Sequence, residues 1–130
     1  MDGGYSVSKA MIIDDSRTIR MILAKTLGEL GYEVCQAANG KEALAVAERE
    51  HGSISVMLVD WNMPEMNGLE FVKHIRSDDR FSAVPLMMVT TETEMDQMMT
   101  ALAAGANEYV MKPFTKEIIA DKLRLMGAIQ

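Results

Sequence analysis

The sequence holds a single cysteine, Cys35, so no disulfide can form within the chain. Its neighbours from Tyr32 to Ala37 lean apolar, which predicts a buried thiol acting as a small hydrophobe. No apolar run approaches the roughly 20 residues needed to span a bilayer. The stretch from Met1 to Lys9 also lacks the charged start, long apolar core and small-residue cleavage site of a signal peptide. A cytoplasmic protein is expected. Positive charge is scarce too: 13 Lys and Arg face 19 Asp and Glu, for a net charge of −6 at pH 7. That balance opposes non-specific contact with nucleic acid or an anionic membrane, both of which need clustered Lys and Arg.

What is present fits a soluble globular domain, with 48% hydrophobic and 25% charged residues. A chain of 130 residues can bury one core but is short for a regulatory plus an effector domain, so one domain over 1–130 and a monomer are expected. Short apolar runs alternate with helical patterns five times, the mark of βαβ units around a parallel sheet and hence of an α/β fold. The strand candidates are Ala10 to Ile13, Glu33 to Ala37, Val56 to Val59, Leu86 to Val89 and Glu108 to Met111. The second and fifth carry polar residues that the others lack, which places them at the edges of the sheet.

Five helical stripes lie between and after these runs. They are Ile19, Ile22, Leu23, Thr26, Leu27 and Leu30; Ala43, Leu44, Val46 and Ala47; Leu69, Val72 and Ile75; Met98, Met99 and Leu102; and Ile118, Ile119, Leu123 and Met126. Gly31 and Gly105 are suited to stop the first and fourth.

In such a sheet, functional groups gather at the carboxyl ends of the strands, beside helix N-termini. Those ends read Asp14-Asp15, Asp60, Thr90-Thr91 and Lys112-Pro113. Three carboxylates meeting at one point repel, since unit charges about 4 Å apart interact by roughly 4 kcal/mol at an effective dielectric near 20. A hard divalent cation and the Lys112 ammonium would offset them. Oxygen ligands without His or Cys suit Mg²⁺ or Mn²⁺ rather than zinc. Singly, Asp15 or Ser16 could cap a helix, Asp60 could open a turn and Lys112-Pro113 could be an ordinary loop. Chemistry at four strand ends together points to a phosphate and metal site.

With these residues placed, the chain resembles the receiver domains of bacterial two-component response regulators, in particular the stand-alone chemotaxis type. The likeness rests on 12–16 (IIDDS), 58–68 (LVDWNMPEMNG), 88–92 (MVTTE) and 108–115 (EYVMKPFT). It implies a flavodoxin-like, doubly wound sheet of five parallel strands in the order 2-1-3-4-5 with five helices, an order taken from the family itself. It further implies Asp60 as phosphoacceptor and Asp15 as a direct metal ligand. Asp14 would act as a metal-site carboxylate through water, and Asn62 would supply its backbone carbonyl. Lys112 would bind the phosphoryl oxygens, Thr90 and Tyr109 would switch together, and Asn62 and Glu92 would tune dephosphorylation. The Lys112-Pro113 bond resembles the family's cis peptide.

Donors implied by the resemblance are a histidine kinase or a histidine phosphotransfer protein, and the output is a protein-binding face on the fourth helix, fifth strand and fifth helix. No enzymatic turnover of an outside substrate is expected. In chemotaxis receivers that bind the flagellar motor switch this face is Lys-rich. Here the helix begins with Glu92, Glu94 and Asp96, while Lys112, Lys116 and Lys122 keep positive charge nearby. The thirteen methionines read mainly as adaptable core filling, with Met21 and Met95 off the apolar stripes and suited to partner contact. His51 and His74 have no companion ligand and read as surface residues.

Three other functions could use carboxylates at these strand ends or the same fold. A metal-dependent phosphohydrolase would place its nucleophile in a first-strand Asp-x-Asp motif, which Asp14-Asp15-Ser16 does not form. A flavin carrier on the same fold would need a Ser, Thr and Gly-rich phosphate loop where two carboxylates stand. A receiver-like interaction module or a phosphate sink in another two-component pathway is the remaining alternative.

Overall fold

A computed structural model describes residues 8–91 and 95–129. Along the chain run β1 (Lys9–Ile13), α1 (Arg17–Glu29), β2 (Glu33–Ala37), α2 (Gly40–Arg49) and β3 (Ile54–Val59). Then come α3 (Gly68–Arg76), a 3-10 turn (Asp79–Phe81), β4 (Leu86–Thr90), α4 (Met95–Ala104), β5 (Glu108–Met111) and α5 (Lys116–Leu125). All pairings are parallel and the order is β2-β1-β3-β4-β5. The two polar runs are indeed the edges, because an edge strand leaves part of its surface to water.

Alternation along the inner strands divides the core in two. Met11, Ile13, Met57, Val59 and Met88 pack against Ala43, Val46 and Ala47 of α2, Phe71, Val72 and Ile75 of α3, and Ala101 of α4. Ala10, Ile12, Leu58, Met87 and Val89 face the other way, onto Leu23 and Leu27 of α1 and Ile119 and Leu123 of α5. Helices therefore cover both faces, which is why the inner strands read as unbroken apolar runs.

Local caps set the helix limits. Ser16 accepts the Ile19 N–H, Asn39 the Glu42 N–H and Thr115 the Ile118 N–H. Asn67 and Glu70 form a reciprocal capping box at the start of α3. Past α4, Gly105 adopts φ +126°, a left-handed turn that an L side chain rarely enters.

Several expectations need correction. Ile22, Met99, Leu102 and Ile118 were expected on buried stripes, yet all four are exposed, Met99 to 61%. α4 instead turns the small Ala101 inward, and α3 buries Phe71, which its expected stripe omitted. Apolar residues on these helices span a wider arc than the sheet covers, so periodicity alone left the buried side open. Cys35 is only half-buried, because it lies on an edge strand, although its thiol is held above its ordinary range by burial. β1 starts one residue earlier than expected, β3 two earlier, and β4 ends one later. Met21 and Met95 are exposed, as are His51 and His74.

Candidate functional site

The ends of β1 and β3 are locked side by side. The Asp14 N–H donates to Ala37 O at 3.1 Å and the Asp60 N–H donates to Ile13 O at 2.8 Å. Continued ladder bonds thus carry both carboxylates to the carboxyl ends of these inner strands, where the chain turns into its loops. Asp14 is 1% exposed and Asp60 6%, whereas Asp15 is open to solvent. Oxygens of Asp14, Asp15 and Asp60 lie within 4.8 Å of one another.

Lys112 enters from β5. Its backbone N–H donates to Thr90 O at 2.9 Å, the peptide to Pro113 is cis, and its Nζ reaches Asp14 Oδ2 at 2.8 Å and Asp60 Oδ1 at 3.6 Å. One ammonium among three carboxylates leaves two negative charges, the charge of one divalent cation. The donor set is all oxygen, which fits a hard ion such as Mg²⁺ or Mn²⁺ and not zinc.

Backbone donors fix the carboxylate directions. Ser16 N–H donates to Asp14 Oδ1 and Trp61 N–H donates to Asp60 Oδ1, both at 2.8 Å. Burial holds the Asp60 carboxyl above its ordinary range, and the Asp14 charge pushes the same way. The Lys112 ammonium, the Trp61 N–H and a hydrogen bond from the Thr90 hydroxyl oppose that rise.

The other expected residues are placed as follows. Thr90 is fully buried at the end of β4, next to the site. Tyr109 is 7% exposed and packs in the core on the α4 side of the sheet. Asn62 lies exposed in the loop after β3. Glu92 and Glu94 lie outside the described residues.

Two neighbours of the site were not singled out by sequence reasoning. A Cβ on Gly68 would sit 2.1 Å from the Asp60 carbonyl oxygen, while the Gly68 N–H donates to Trp61 O at 2.8 Å. Close backbone approach therefore demands glycine there, and its place just after the Asn67 cap was the available signal. Arg20 Nη1 donates to Asp14 O at 2.7 Å across a turn of α1, a contact with no local sequence signature.

On the face formed by α4, β5 and α5, Met95, Met99, Leu102 and Met111 are exposed. The lysines expected to leave positive charge there are all engaged. Lys112 turns inward to Asp14, Lys116 pairs with Glu29 at 3.2 Å and Lys122 with Glu108 at 3.1 Å. Among the described residues, no helix is long and apolar enough to cross a membrane.

Comparisons with known proteins agree on one family. Residues 10–124 match the family described as response regulator receiver domain. The chain is 45% identical over 119 residues to chemotaxis protein CheY1 of Helicobacter pylori (strain ATCC 700392 / 26695), covering 91% of this chain and 95% of that protein. It is 37% identical over 116 residues to chemotaxis protein CheY of Pseudomonas aeruginosa, covering 88% and 92%. The solved structure of Vibrio cholerae chemotaxis response regulator CheY4 is similar, with 38% identity, a TM-score of 0.85 and coverage of 92% of this chain and 98% of that one.

Proposed function

The chain belongs to the response regulator receiver domain family, and we propose that it is a cytoplasmic, single-domain phosphoacceptor of the chemotaxis type that takes a phosphoryl group on Asp60. What supports this most is the charge arrangement: a buried Asp60 carboxylate flanked by Asp14, Asp15 and the Lys112 ammonium. The donor is a histidine kinase or histidine phosphotransfer protein. Its phosphorus–nitrogen bond breaks as a phosphorus–oxygen bond to an Asp60 carboxylate oxygen forms, and the imidazole leaves. Lys112 gives positive charge to the phosphoryl oxygens, and the Trp61 N–H keeps the carboxylate aimed.

Mg²⁺ or Mn²⁺, held by Asp14, Asp15, Asp60 and the Asn62 backbone carbonyl, would neutralise charge on the transferring group. Water oriented near Asn62 and Glu92 then hydrolyses the acyl phosphate, so signalling limits itself. The buried Thr90 hydroxyl shifts its hydrogen bond to the phosphoryl group, and Tyr109 repacks with it, which alters the face of α4, β5 and α5. Moving such an equilibrium from 1:99 to 99:1 takes about 5.5 kcal/mol, more than one hydrogen bond supplies, so several contacts must act together. The exposed Met95, Met99, Leu102 and Met111 give that face an apolar docking surface for a downstream protein.

Trp61, the only tryptophan, follows Asp60 directly and reports on the site. A saturable fluorescence change with Mg²⁺ and a further change with acetyl phosphate are expected, the second vanishing in Asp60→Asn. If folded wild-type protein gave neither response, the unphosphorylated interaction module would replace this reading.

A further inference from the structure

Arg20 sits one turn beyond the Ser16 cap, and its guanidinium reaches back over the end of β1. Nη1 donates to the Asp14 carbonyl oxygen at 2.7 Å and Nε to the Gln36 side-chain oxygen at 3.1 Å. Gln36 precedes Ala37, whose carbonyl accepts the Asp14 N–H at 3.1 Å. The Asp14 oxygen belongs to the peptide plane that joins Asp14 to Asp15. Since that unit is planar, fixing its oxygen fixes the direction in which the chain enters Asp15. Asp14 has its own backbone and side-chain anchors, in Ala37 O, Ser16 N–H and Lys112 Nζ. Asp15 is the exposed member of the carboxylate group, and its backbone begins at this peptide.

We infer that Arg20 is a positioning residue for the cation site: with Gln36 as its second anchor, it holds the Asp14–Asp15 peptide so that the Asp15 carboxylate faces Asp14 and Asp60. The inference rests on the proposed metal site and adds a residue to it. Two effects of Arg20 on a bound cation have opposite signs, which makes the role testable. Its positive charge beside the site repels a cation, so losing charge alone would tighten binding. Losing a bond that orients a ligand weakens binding, typically by 10- to 100-fold for partners behind the ligands.

The experiment is a Mg²⁺ titration followed by Trp61 fluorescence, together with amide hydrogen exchange at Ser16, whose N–H donates to Asp14 Oδ1, in metal-free protein. Arg20→Ala is expected to weaken Mg²⁺ binding about tenfold and to speed exchange at that amide. Arg20→Lys should weaken binding as well, since an ammonium keeps the charge but cannot form the fixed two-direction fork. Gln36→Ala, an exposed change without effect on charge, should shift binding in the same direction by less. Unchanged or tighter Mg²⁺ binding in Arg20→Ala overturns the inference. A wild-type protein without any Mg²⁺ response overturns the metal site instead, and exchange then still decides whether Arg20 holds this peptide.

Discussion

Lys112 Nζ lies 2.8 Å from Asp14 Oδ2, closer than the 3.6 Å that separates it from Asp60 Oδ1. The ammonium is therefore shared unequally, with the shorter contact to the carboxylate that is not the proposed phosphoacceptor. It bridges the carboxylates that follow β1 and β3, while the Lys112 backbone N–H is tied to the Thr90 carbonyl. A cation held this way would compete with a metal ion for the carboxylates and would lie close to any anionic oxygens added to Asp60.

Lys112→Ala is accordingly expected to bind Mg²⁺ as tightly as wild type or more so, yet to transmit phosphorylation poorly. Trp61 titration measures the first effect, and a phosphorylation-dependent conformational readout such as exchange protection in α4 measures the second. A variant that switched normally would remove Lys112 from the mechanism.

Asp60→Asn should stabilise the fold at neutral pH while abolishing acid-labile, hydroxylamine-sensitive phosphoryl label. The sign follows from the raised Asp60 pKa, caused first by burial and then by the Asp14 charge. A carboxyl that binds its proton more tightly when folded subtracts from stability where it is ionised, and subtracts less as pH falls through its folded pKa. Urea midpoints of the two proteins should therefore differ at pH 7 and converge on acidification. No gain at pH 7 would mean that Lys112, Trp61 N–H and Thr90 fully offset the burial.

Gly68→Ala should cost about 3 kcal/mol, the upper part of the range for overpacking, because its Cβ would meet the Asp60 carbonyl oxygen at 2.1 Å. The same displacement moves Asp60, so the phosphorylation rate with acetyl phosphate should fall in the surviving folded fraction. By contrast, Gly28→Ala in α1 meets no atom of the described residues within 4 Å and should stabilise by up to about 1 kcal/mol. Denaturant curves of the two variants compare a crowded glycine with an open one.

Replacing Asn62 and Glu92 together by leucine should lengthen the acyl phosphate lifetime, since apolar side chains cannot orient the attacking water. Decay of the phosphorylated form, followed by Trp61 fluorescence after donor removal, gives the rate directly. An unchanged rate would assign hydrolysis to other groups.

The sequence by itself determined the order of elements, the edge strands and the strand ends that carry charge. The physical reason is local: an unbroken apolar run marks a strand covered on both faces, a polar one marks an edge, and Gly31 and Gly105 stop helices through left-handed turns at φ +99° and +126°. Asp14, Asp15, Asp60 and Lys112 could be proposed as neighbours because each follows a parallel strand, and parallel strands end on the same side. Their distances could not, since Lys112 and Asp14 are separated by 98 positions and meet only through the register of β1, β3, β4 and β5.

Tertiary structure alone decided which part of each apolar arc faces the sheet. It left Ile22, Met99, Leu102 and Ile118 in solvent and buried Ala101 and Phe71. Periodicity reports the angular order of residues about one helix axis, whereas the buried side depends on where neighbouring elements lie. The same holds for charge. Sequence placed Lys116 and Lys122 near the face of α4, β5 and α5 as positive charge, and only folding set them against Glu29 and Glu108. Arg20 shows the limit most plainly: its grip on Asp14 O and Gln36 joins a helix turn, a strand end and a neighbouring strand. No spacing rule along one chain segment encodes a contact that requires all three to be in place.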